Sequence, residues 1–371
     1  MRAAVSNTTT MTTTTMTTTT MTSTKSMTMM VTTVMTTMTM KAMTISPPAA
    51  PAWQWQVGNF RAMNSDVFLW YFGGPGGGGR GMVGQVEELF AHQEQRLSRF
   101  RPDSDLSLLN RDPASHCRIS PELYAPLEIA LWAAAQTGWI YDPTLLSELE
   151  AAGYDRSFEG IVERAAFQWP APVATMAQRP VQALRSLLKE EIRFFASDQV
   201  VQRPAGLRFD LGGMGKGWTV DRAADLMNGA GPFLINAGGD LFAHGRPERG
   251  RGWAIRLEDP LDPQQTLATV YLDHHALATS AVTKRRWRSN GALRHHLIDP
   301  RTGEPAVTDA LSVSVIAQRT VLAEIFAKVA LILGVEQGLA WLETLPGVEG
   351  YFCTTERTTV CTGGFGEFLD P

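Results

Sequence analysis

The first fifty residues contain no Leu, Phe or Trp, so whatever core this chain builds must come from the remainder. Eleven of the 16 methionines fall between Met1 and Met43, set in a matrix of threonine. Threonine is stiff at its first side-chain torsion and a poor helix former. The stretch MTTTTMTTTTMTSTKSMTMM shows neither a helical nor an alternating apolar period. Burial cannot offset the entropy of ordering such a tract, and a disordered Thr/Met-rich tail over 1–50 is expected. It lacks the continuous apolar centre and small-residue cleavage site of a secretory signal, and no cysteine follows for a lipid anchor. A transit address (basic, hydroxyl-rich, free of acids) and a true start at Met43 or Met63 both stay open. The default compartment is cytoplasmic.

Residues 51–371 carry all 10 tryptophans. Arg2, Lys25 and Lys41 are the only charges before them, so this body holds the other 30 of the 33 basic side chains and all 37 acidic ones, a net −7 against −4 for the whole chain. A chain of that size buries roughly three quarters of its unfolded surface. A net-acidic body without a basic block excludes a dedicated nucleic-acid binder. No apolar run reaches the roughly 18 residues that a membrane span needs. Cys117, Cys353 and Cys361 form no C-x-x-C pair and cannot make a disulfide framework. Cys353 and Cys361 could face each other across a hairpin, but buried thiols acting as small hydrophobes are the preferred assignment.

Aromatic and β-favouring FRAMNSDVFLWYF (60–72) predicts a strand, and GGPGGGGRG (73–81) a flexible turn. Val83, Val86, Leu89, Phe90 and Leu97 recur at helical spacing. PELYAPLEIALWAAAQTG predicts a helix from Pro121 to Gly138, with proline at its start and glycine at its end. Residues 150–205 mix helical pieces with proline-bearing loops. RFDLGG reads as a strand into a turn, and KGWTVDRAADLMNGAG as a helix ending at Gly229. A run of strands follows over FLINAGGDLFAHG, 252–258, 266–272 and 275–279. Then come a strand at 311–317, a helix from Thr320 to Leu333 and a closing hairpin in YFCTTERTTVCTGG. Strands, helices and strands again predict an α+β domain of mixed sheets with packed helices.

Four clusters carry chemistry. In Asp210-Leu-Gly-Gly-Met-Gly-Lys-Gly217, a strand end, four glycines and a helix start coincide. Backbone N–H groups there can approach an anion, and Lys216 adds a full charge. The spacing is neither a Walker loop nor a dinucleotide fingerprint, and an ordinary strand–helix turn has the same signature. Asn236-Ala-Gly-Gly-Asp240 breaks a strand on two glycines and offers a carboxylate; it suits a ligand's close approach or a plain hairpin turn. His295 and His296 precede an Asp-Pro turn, Asp299-Pro-Arg301-Thr-Gly303, and one of them is a candidate base. Adjacent strand residues point to opposite faces, so only one can enter a given pocket. Glu324 and Lys328, four apart, fit a surface ion pair on a helix.

The order of these pieces resembles the ApbE family, the FAD:protein FMN transferases. LSRFRPDSDLSLLN (97–110), GWIYDPTL (138–145), DLGGMGKGWTVDRAADLM, INAGGDLFAHG, ALATSAVTKRRW and HHLIDPRTGEPA carry the resemblance over residues 58–365. It implies a single compact, T-fold-like α+β domain over 51–371. It also implies transfer of FMN from FAD to a threonine of an acceptor flavoprotein, with release of AMP. By position, Met63, Asn110, Asp142, Thr144, Lys216, Asp221, Asn236, Gly238, Gly239, Asp240 and Ser280 would line the FAD site, and His296 would be the base. Two departures stand out. Asn64 replaces a glycine in the family's A-M-G-T opening. The family's Mg²⁺ motif D-A-L-A-T becomes Glu324-Ile-Phe-Ala-Lys328, with Gly215 supplying the carbonyl ligand. Lysine has donors but no acceptor and cannot ligate a cation. The expectation is therefore that the Lys328 ammonium takes the metal's place, held by Glu324. The alternative is an FAD-binding relative with a degraded metal site and little or no transferase activity.

Overall fold

The computed structural model describes residues 54–73, 81–158, 191–247, 250–289 and 292–370. The expected tail over 1–50 and most of the glycine turn at 73–81 lie outside the described residues.

Eight antiparallel strands form the main sheet, and their order in space follows their order in the chain. They are β1 (Gln54–Ala62), β2 (Ser65–Gly73), β3 (Phe233–Ala237), β4 (Asp240–His244), β5 (His275–Ala281), β6 (Ala310–Ala317), β7 (Glu349–Thr354) and β8 (Thr359–Cys361). Side chains alternate between the faces with period two. Val313, Val315, Ala276, Ala278 and Ile235 face a helical layer, whereas Leu234, Leu277 and Ile316 face a hairpin of Trp253–Glu258 and Thr266–Leu272. Every residue of β3 and β6 is buried because both faces are covered.

The helical layer contains α1 (Met82–Leu97), α2 (Asp105–Arg111), α3 (Pro121–Gln136), α4 (Leu146–Ala151), α5 (Gly215–Leu226), α6 (Thr320–Leu333) and α7 (Val335–Leu342). Ser104 and Ser120 cap α2 and α3 by accepting from Ser107 N and Leu123 N. No side chain of α6's own N-cap, Arg319, does this. Instead Asp221 of α5 accepts from Thr320 N (2.7 Å) and Val321 N (3.1 Å), which ties the two helices together. Beside that tie, Gly217 lets them approach: a Cβ there would stand 2.6 Å from the Thr320 carbonyl oxygen. No helix among the described residues is long and apolar enough to cross a membrane.

Three expectations need correcting. The strand expected over 60–72 is two strands, because β1 and β2 reverse at Met63 and Asn64, both in the left-handed region (φ 51° and 56°). That is the conformation of a two-residue hairpin loop. Asparagine tolerates it better than other side chains, so Asn64 keeps the geometry that a glycine would give. RFDLGG is not a strand; the Asn110 side chain brackets Phe209 in place of a neighbouring strand, accepting from its N and donating to its O, each at 2.8 Å. Cys353 lies opposite Thr359, not Cys361, and Cys361 is exposed.

Candidate functional site

A cleft of about 450 Å³ opens where four parts of the chain meet, a size suited to a small-molecule site. Its walls are the Met63–Asn64 turn, the end of α1 with residues 98–101, and the 210–216 turn, joined by Arg285, His296 and Lys328. The Met63 backbone is fixed by its N–H donating to Glu94 Oε2 at 2.9 Å. Holding a non-glycine residue at positive φ costs on the order of 1–3 kcal/mol, and such strain concentrates at functional sites.

The 210–216 turn is anchored from both sides. Asp210 N donates to Pro143 O (2.7 Å), and its carboxylate pairs with Arg99 Nε (2.9 Å). Arg99 also donates to Tyr154 O, and its guanidinium lies over the Tyr154 ring, 4.7 Å from the centroid. Tyr154 stacks on buried Trp287, which donates to Ala152 O. A chain of packed rings therefore places α4 and the 286–295 hairpin beside the turn.

The α5 N-terminus already holds an anion. Glu324 reaches it from α6: Oε2 accepts from Gly217 N–H (2.8 Å) and Oε1 from Lys216 Nζ (2.9 Å). Asp240, from the β3–β4 turn, takes the same ammonium. Two buried carboxylates thus share one lysine. Gly212 and Gly213, both lining the cleft, have N–H groups without a partner among the described residues.

Lys328 differs. Among the described residues its ammonium has no hydrogen bond or ion pair; it faces the Tyr141 ring, with the centroid 5.8 Å away. Nζ rests so close to Gly213 that a Cβ there would collide with it. Burial lowers the pKa of Lys328, while Glu324 and Asp210 pull the other way and favour the charged form.

His296 lines the cleft and His295 does not. His295 sits in a fixed tautomer: Leu297 N donates to its Nδ1 (3.3 Å), so its Nε2 carries the proton shared with Ala306 O (3.0 Å). His296 Nδ1 is buried with no partner. Burial, then the charges of Arg285 and Lys328, hold His296 well below the ordinary histidine value, so it is neutral near pH 7.

Of the residues singled out from sequence, Met63, Gly215, Lys216, His296 and Lys328 meet at this cleft. The others stand behind its wall. Asn110 positions the turn through Phe209, and Asp142 accepts from Thr144 N and Oγ1. Asp221 caps α6, and Asn236 accepts from Gly239 N, closing the hairpin turn at Gly238 and Gly239. Asp240 holds Lys216, and Ser280 lies on β5 outside the lining. Sequence reasoning did not single out Glu94, Arg99, Arg101, Asp210 and Arg285, which line the cleft. Arg99 and Arg101 belong to the quoted SRFRPD segment and Arg285 to TKRRW, so the signal was present in both.

The residues present do not fit Mg²⁺, which demands a near-octahedral set of oxygen ligands. Both Glu324 oxygens accept from Lys216 and Gly217, and Gly215 O accepts from Thr219 Oγ1 at 2.7 Å. Position 328 is an ammonium. No group of three His, Cys, Asp or Glu side chains able to hold a metal occurs among the described residues. The expected Glu324–Lys328 pair is also corrected, because Glu324 holds Lys216 instead. Nor are the two on a free surface: Glu324 is buried and Lys328 half-buried.

A family model described as the ApbE family matches residues 63–352. An FAD:protein FMN transferase of Treponema pallidum is 30% identical over 295 residues, covering 76% of this chain and 79% of that protein. An FAD:protein FMN transferase of Vibrio cholerae is 24% identical over 263 residues, covering 70% and 75%. Among solved structures, the ApbE protein of Thermotoga maritima superposes with a TM-score of 0.72 at 21% identity, covering 86% of this chain and all of that one. The apo form of the Pseudomonas stutzeri flavinyl transferase ApbE gives 0.69 at 24% identity, covering 85% and 97%.

Proposed function

This chain belongs to the ApbE family, and we propose that it transfers FMN from FAD to a threonine of an acceptor flavoprotein, releasing AMP. The observation that carries this is the convergence of Lys216, His296 and Lys328, from motifs up to 112 positions apart, on one cleft with Arg99 and Arg285. Lys216 and Arg99 are already paired with carboxylates, so the cations left to recognise the diphosphate of FAD are Lys328 and Arg285.

In the reaction the threonine hydroxyl oxygen attacks the phosphorus on the FMN side of the diphosphate. A P–O bond to the threonine forms, the P–O bond to AMP breaks, and the hydroxyl proton passes to His296. Phosphoryl transfer of this kind rests on alignment and on stabilising charge at the phosphate oxygens. The Gly212 and Gly213 N–H groups, Lys328 and Arg285, which all line the cleft, would stabilise that charge. A histidine kept neutral by its surroundings can accept the proton, and the bound diphosphate would raise its basicity by opposing the field of Arg285 and Lys328. Because the free enzyme's His296 value is depressed, kcat/KM should hold as pH falls through 6.5 and decline only below it. A pH–rate profile with its acid limb above 6.5 would contradict that assignment.

The direct experiment co-expresses the chain with a flavoprotein domain bearing the target threonine and measures intact masses. The expected result is a gain of one FMN on the acceptor, lost when its threonine becomes alanine or when His296→Ala is used. An unmodified acceptor with wild-type chain would remove this function. The alternative of a relative that binds FAD and modifies nothing gains no support from the matched proteins of Treponema pallidum and Vibrio cholerae, both of which are named transferases.

A further inference from the structure

The cleft holds two lysines, and only one of them is neutralised. Lys216 is gripped by Asp240 and Glu324, and the second oxygen of Glu324 is occupied by the Gly217 N–H. No carboxylate in that group is left over to hold a cation. Lys328 stands beside it with no acceptor among the described residues, its Nζ against Gly213 and its charge within reach of the Tyr141 ring. The ammonium opens onto the cleft, where an anionic ligand can take its donors. The ammonium and the two unpartnered N–H groups lie on the same wall, so their donors can converge on one anion.

Taking the flavin-transfer function above as the premise, we infer that Lys328 is a built-in replacement for a divalent cation, and that this chain binds FAD through its diphosphate without metal. The ammonium contributes one fixed charge and up to three donors, and the Gly212 and Gly213 N–H groups and Arg285 add to it. Gly213 is the companion requirement: it has no side chain where Nζ must sit, so an alanine there would push the ammonium off the turn.

The test measures FAD affinity by calorimetry and metal content of the FAD complex by mass spectrometry, using full-length chain in metal-stripped buffer, in EDTA and in Mg²⁺. Wild-type protein should bind FAD equally in all three and retain no stoichiometric metal. Lys328→Met should weaken FAD by about tenfold or more, the scale of a lost charge-assisted hydrogen bond, with an unchanged melting temperature. Gly213→Ala should weaken FAD in the same direction by displacing the ammonium while residue 328 stays lysine, which covers the case in which Lys328→Met fails to fold. In the double variant Glu324→Asp, Lys328→Thr, FAD affinity should become responsive to Mg²⁺. FAD binding by wild-type protein that appears only with Mg²⁺, or equimolar Mg²⁺ in its complex, would overturn the inference while leaving the flavin function standing. Full affinity in both Lys328→Met and Gly213→Ala would also overturn it. Failure of wild-type protein to bind FAD in any buffer would instead remove the functional premise.

Discussion

The turn at 210–217 and the turn at 236–240 share one vocabulary: paired glycines, a nearby carboxylate and the end of an element. Their structures diverge. In the first, Gly212 and Gly213 keep unpartnered N–H groups on the cleft wall and leave room for Lys328. In the second, the Asn236 side chain accepts from Gly239 N, Gly238 N donates to Asp66 O, and Asp240 is turned onto Lys216. One turn stays open to a ligand, and the other closes on the protein to hold the first turn's lysine. Glycine content alone does not mark a binding loop; what distinguishes the two is whether their N–H groups already have partners.

The largest expected effect comes from the link between them. Lys216→Met leaves Asp240 and Glu324 buried without their shared cation, and breaking such a group costs about 3–5 kcal/mol. Urea unfolding would read it; a loss under about 1 kcal/mol would mean that the carboxylates are solvated and the turns independent. Gly217→Ala comes next, at about 1–3 kcal/mol from overpacking against the Thr320 backbone. It should act on melting temperature, whereas Gly213→Ala meets only the movable tip of Lys328 and should act on FAD affinity. If both changed stability equally, the two glycines would share one packing role. Gly239→Ala is the smallest, about 1–2 kcal/mol, because its φ of 103° suits glycine alone while no atom stands within 4 Å of an added Cβ. Its FAD affinity, measured on the folded fraction, should match wild type; a tenfold loss would place the 236–240 turn in the binding surface.

Much of the fold was legible. The bounds of α6 follow from its apolar positions and from Gly334 at its end, and α3 starts on a serine cap with proline at its first turn. The segments β3 to β6 were legible as strands, but that β3 and β6 are covered on both faces emerged only from the structure. The first hairpin was hidden because its loop, Met63-Asn64 within an aromatic run, lacks the Asn-Gly form that marks a reversal. For the site, spacing was ambiguous where burial decided the outcome. An i, i+4 Glu–Lys pair fits a surface helix or a buried face equally well. Val321, Ile325, Phe326 and Val329 around it make α6 apolar nearly all round, the pattern of a buried helix. Asp221 and Asn110 sit in motifs of the cleft region yet act on backbone groups nearly a hundred residues away, a pairing that no local pattern reveals. Arg99 was passed over because its partner Asp210 lies 111 positions downstream.

The proposed function requires this cleft to grip the diphosphate of a flavin dinucleotide. Calorimetric competition among FAD, riboflavin and ADP tests it most directly. Recognition through the diphosphate predicts that FAD binds about a hundredfold or more tighter than riboflavin, the scale of two charge-assisted hydrogen bonds, and that ADP displaces it. Riboflavin binding as tightly as FAD, with ADP unable to compete, would contradict it.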